Sequence, residues 1–101
     1  MADEIRADYD QLEQVASRFA NQAQEVQQML QQVRSSMSRL RNDWIGRGSD
    51  AFFDEMEGEV LPATQRLQQA LEEASRVTKD IVQIMQQAEE EASSPFRSSS
   101  T

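Results

Sequence analysis

Stepping alternately by four and three residues from Ile5 meets Ile5, Tyr9, Leu12, Ala16, Phe19, Ala23, Val26, Leu30, Val33, Met37, Leu40 and Trp44, and every position is apolar or aromatic. Gln, Arg, Glu, Asp and Ser fill most positions between them, as a solvated helix face requires. Gly and Pro are absent before residue 46. The pattern predicts one long helix over about residues 5–43, roughly 60 Å from end to end at 1.5 Å per residue. From Phe53 the same stepping meets Met56, Val60, Ala63, Leu67, Ala70, Ala74, Val77, Ile81, Ile84 and Ala88. A second long helix is therefore predicted over about residues 50–92, with residues 44–49 as the turn and Ser49 as its N-cap. Gly58 and Pro62 interrupt it early. Pro62 lacks an amide donor and crowds the carbonyl four residues back, so a bend is expected near residues 58–62 with the helix continuing beyond.

Two helices joined by a short turn form an antiparallel hairpin, and the fold class expected is all-α. The predicted single domain spans residues 1–92, followed by a Ser-rich flexible tail at 93–101 that also holds Phe96. One hairpin buries little surface for its length. Apolar residues also lie beside the two seams: Val15, Ala20, Met29, Phe52, Leu61, Leu71, Val82 and Met85. They widen each apolar stripe and imply a second buried face. Two hairpins packed as an antiparallel four-helix bundle satisfy it, as a homodimer or with a similar partner chain. The residues expected to fill the core and dimer seam are Leu12, Phe19, Val26, Leu30, Val33, Met37 and Leu40 of the first helix. Phe53, Met56, Val60, Leu67, Val77, Ile81 and Ile84 serve the second.

Composition narrows the chemistry. Lys and Arg together number 10 against 18 Asp and Glu, for a net charge of −8. With no basic tract, nucleic acid and anionic membranes are poor partners. Cys and His are both absent, which removes disulfides, the usual zinc ligands, thiol nucleophiles and imidazole bases. No enzyme activity, metal, cofactor or small-molecule substrate is expected. Arg34, Arg39, Arg41 and Arg47 gather at the end of the first helix, and Asp50, Asp54, Glu55, Glu57 and Glu59 at the start of the second. Both clusters complement the helix macrodipoles and should attract one another across the turn. The charged N-terminus is unlike a signal peptide, and no apolar run is long enough to cross a membrane.

The turn itself reads Trp44-Ile45-Gly46, followed by "RGSDAFF". A chain of 101 residues with two seamed helices and a central Trp-x-Gly resembles the WXG-motif family, the small ESAT-type substrates of type VII secretion. The resemblance runs over about residues 5–96. It implies a non-enzymatic helical protein that folds and pairs in the cytoplasm and is exported without a cleavable signal peptide. It further implies recognition by the system's translocase ATPase, and a role as effector, partner chaperone or machinery component. Trp44 and Gly46 match the turn motif. The family also carries a C-terminal export signal, often Tyr-x-x-x-Asp/Glu. This chain has no Tyr after Tyr9, but Met85, Glu89, Ala92 and Phe96 fit a broader hydrophobic–acidic–hydrophobic pattern. The alternative reading is a cytosolic helical-bundle adaptor or scaffold in which Trp-x-Gly is incidental.

Overall fold

The computed structural model describes residues 2–93, and these are almost wholly helical. Helix α1 spans Ala2–Asp43 and helix α2 spans Arg47–Glu55. A π-helical turn, Met56–Val60, joins α2 to α3, Leu61–Ser93. Helices α1 and α3 lie antiparallel along the length of a hairpin measuring 80 × 20 × 17 Å.

Along α1 every seventh seam residue turns inward, while Leu40 at the end of the seam is exposed. Tyr9, Ala16, Ala23, Leu30 and Met37 recur every seven residues and are buried against α3. Leu12, Phe19, Val26 and Val33, each three residues after one of these, are half-buried. The densest packing lies toward the turn, where Leu30, Met37, Phe53 and Leu61 form the core with Val26, Val33 and Met56 around them. Farther from the turn the inner positions of α1 are Ala16 and Ala23, and the buried residues opposite include Ser75 and Val82.

The second seam behaves differently, and this corrects the expectation from periodicity. Phe53 is buried and Met56 is half-buried, but beyond Met56 the residues facing α1 are Leu61, Gln68, Leu71, Ser75 and Val82. The seam residues Val60, Leu67, Val77, Ile81 and Ile84 face outward, with Leu67 51% and Ile84 62% exposed. The cause is the π turn. The Leu61 amide donates to the carbonyl of Met56, five residues back. One extra residue in the turn rotates everything downstream by about 100° relative to an unbroken α-helix. Pro62 explains its place: a Pro ring collides with a carbonyl four residues behind it in a regular α-helix, and a wider turn relieves the contact. The predicted interruption near residues 58–62 thus takes the form of a register shift.

That shift turns polar residues toward α1. Thr64 and Thr78 satisfy their hydroxyls by donating to the carbonyls of Val60 and Ala74 at 2.8 and 2.7 Å. Among the described residues no buried side-chain nitrogen or oxygen lacks a partner.

Candidate functional site

The turn is built around Gly46. Helix α1 ends with the Trp44 amide donating to the Leu40 carbonyl at 2.8 Å. Gly46 then takes a φ of 136°, a conformation that costs residues with a Cβ heavily. Its carbonyl accepts from the Asp50 amide at 3.0 Å, so Gly46 rather than Ser49 stands at the N-cap of α2. Ser49 sits inside the first turn of α2, buried, and its hydroxyl donates back to the Trp44 carbonyl at 2.8 Å. The predicted cap is therefore a staple across the turn. Two backbone bonds and the Ser49 hydroxyl thus hold the reversal, and two of the three involve Trp44 itself.

Trp44 heads an aromatic cluster. Its ring lies 5.4 Å from Phe52 and 6.1 Å from Phe53, and the two Phe rings meet nearly edge to face at 5.2 Å. A Cβ at Gly48 would sit 3.6 Å from the Trp44 ring, so the indole lies close along the backbone of α2. The Arg41 guanidinium stacks 4.6 Å above Phe53 and pairs with Glu57 of the π turn. Of the two charge clusters expected to attract, these residues form the contact between α1 and the π turn. Trp44 and Phe52 remain partly exposed, and Ile45 is 88% exposed at the tip. An open cleft of about 530 Å³ is lined here by Arg41, Trp44, Gly46, Arg47, Asp50 and Asp54, among others.

The other half of the expected signal lies at the far end. Met85, Glu89 and Ala92 are on α3 and exposed, while Phe96 lies outside the described residues. The Glu89 carboxylate accepts a hydrogen bond from the Tyr9 hydroxyl at 2.7 Å, across 80 residues of sequence. That bond, with some desolvation and the nearby negative charge, raises the Tyr9 pKa above its ordinary value of 10.0. Tyr9 and Trp44 are separated by about 35 helical residues, roughly 50 Å. One hairpin therefore holds its turn motif and its C-terminal segment apart.

Between the two ends runs an apolar surface. On α1 the half-buried stripe follows the inner one by three residues, a rotation of about −60°. On α3 the exposed Val60, Leu67 and Ile81 precede Leu61, Gln68 and Val82 by one residue, about −100°. Ile84 follows Val82 by two residues, about −160°. In antiparallel helices, offsets of the same sense fall on the same side of the pair. Leu12, Phe19, Val26, Val33 and Leu40 thus border the same face as Val60, Leu67, Val77, Ile81 and Ile84. Val15 and Met29, exposed and farther round α1 in the same sense, extend it. A contiguous apolar face of this length is more than a lone chain usually leaves open.

Tyr9 was visible in the sequence only as a seam residue, and its link to Glu89 depends on the α1–α3 register. Among the described residues there is no group of acidic side chains that could hold a metal ion, and no helix long and apolar enough to cross a membrane. The family model described as "Proteins of 100 residues with WXG" matches residues 4–90. No curated protein and no solved structure matches the chain.

Proposed function

The chain belongs to the WXG100 family, associated with type VII secretion, and from that premise we propose that it is a non-enzymatic export substrate that travels as a pair of hairpins. Members of the family pair with each other and work with the secretion machinery. The carrying observation is the outward apolar face, with Val60, Leu67, Val77, Ile81 and Ile84 exposed although they continue the sequence's own hydrophobic seam. A second hairpin, most simply a second copy, covers that face as an antiparallel four-helix bundle.

Antiparallel pairing has a functional consequence. It carries the partner's C-terminal segment to this chain's turn, so two elements roughly 50 Å apart in one hairpin become neighbours in the pair. Trp44, with Ile45 and Phe52 beside it, supplies one half of the surface that a translocase ATPase reads. Met85, Glu89, Ala92 and Phe96 supply the other, as helix-face anchors for a receptor groove. The protein acts after export as effector, partner chaperone or machinery component.

Fractionating cultures of a strain with a working type VII system tests this reading. Wild type should accumulate in the supernatant, and Glu89→Ala and Trp44→Ala should each stay with the cells. Wild type that remains cell-bound would overturn export, and two variants that leave normally would overturn the bipartite signal.

A further inference from the structure

The acid of the candidate export segment is not directed at solvent alone. Glu89 continues the inner register of α3, following Leu61, Gln68, Ser75 and Val82 at steps of seven. Val82 is buried against α1, and Glu89 accepts from the Tyr9 hydroxyl at 2.7 Å. Met85, one turn before Glu89, is exposed and leaves Glu89 as the residue of the segment held to α1. A groove that took the Glu89 carboxylate would first have to displace the Tyr9 hydroxyl.

We propose that the Tyr9–Glu89 hydrogen bond is a latch that ties the last turns of α3 to α1, so that a receptor takes the Glu89 carboxylate only after this bond is released. The proposal rests on the export reading above. The distribution of the core makes such opening local. Leu30, Met37, Phe53 and Leu61 hold the turn end together. Toward the far end the buried inner residues are Tyr9, Ala16, Ala23, Ser75 and Val82, three of them small. Ala and Ser bring few apolar atoms into contact, and segments with little buried apolar surface open well below the global unfolding free energy. There, the Tyr9–Glu89 bond joins the two helices beyond the buried Val82. Opening frees the Glu89 carboxylate from the Tyr9 hydroxyl and leaves the turn motif built.

Amide hydrogen exchange on the full-length chain, with the export assay alongside, tests the latch. Tyr9→Phe keeps the ring and removes only the hydroxyl. It should speed exchange across residues 82–92 by roughly fivefold, as loss of one net hydrogen bond implies, while residues 26–37 and 53–61 exchange as in wild type. Export should rise. Unchanged exchange across 82–92 would show there is no latch, and faster exchange with reduced export would show that Tyr9 presents the segment rather than masking it. Glu89→Gln separates the two readings, because its amide oxygen still accepts from Tyr9 while the charge is gone. It should exchange like wild type and stay in the cells. A Glu89→Gln chain exported like wild type would remove the export reading, and the exchange of Tyr9→Phe would still decide whether the latch exists.

Discussion

Tyr9 and Ser49 each do something that their residue type alone does not announce. Ser49 looks like a helix cap and instead ties α2 back to the last carbonyl region of α1 through Trp44. The cap position is taken by Gly46, whose backbone conformation was legible because glycine is the residue that adopts it cheaply. Tyr9 fills a seam position that Leu would also suit, and only its hydroxyl distinguishes it. The sign of its pH dependence follows from its raised pKa. A neutral phenol can donate to Glu89, whereas a phenolate cannot donate and repels the carboxylate. Tyr9 therefore contributes fully below its ordinary value of 10.0, and the contribution is lost as pH rises through the higher folded value. Urea midpoints should fall above pH 10 in wild type and fall less in Tyr9→Phe. Glu73 has the opposite sense, since the Arg76 beside it lowers its pKa below 4.5. Its contribution is present above that value and lost on acidification, and at so exposed a site it is small.

At the scale of the helices, the deciding feature is the π turn at Met56–Val60. The hydrophobic period made both long helices legible, and Gly58 with Pro62 marked where the second would be interrupted. Periodicity could not say that the interruption adds a residue to one turn. The continuous seam through Val60 and Leu67 is the more apolar of the two in sequence, and the shifted one through Leu61 and Val82 carries Gln68 and Ser75, so periodicity alone favours the wrong stripe. Adjacent residues separate them. In a chain kept unpaired by Leu67→Asp, Leu61→Ala should cost about 2–4 kcal/mol by urea unfolding, the range for emptying a buried Leu site. Val60→Ala should cost less than about 1 kcal/mol, as exposed positions do. Equal losses at the two neighbours would return the register to the unshifted seam. The shift also explains why the inner face of α3 carries Thr64, Gln68, Ser75 and Thr78 while Ile81 and Ile84 lie outside.

The whole molecule is a rod 80 Å long and at most 20 Å across, with its well-packed core at one end. So thin a structure cannot cover all its apolar side chains alone, and the excess apolar positions in the sequence already implied a second buried face. Which residues form that face needed the register, as did the Tyr9–Glu89 contact, because 80 residues of sequence separate its partners. The turn motif was legible from Trp44 and Gly46 alone; the ring cluster with Phe52 and Phe53 that supports it was not. The central claim is that the outward stripe on α3 is closed by a second hairpin, and sedimentation equilibrium tests it most directly. The wild-type chain should sediment at twice its 11.5 kDa mass, and the double variant Leu67→Asp/Ile81→Asp at the single mass with its helicity retained. Wild type sedimenting as a single chain, or a double variant that still pairs, would contradict the account.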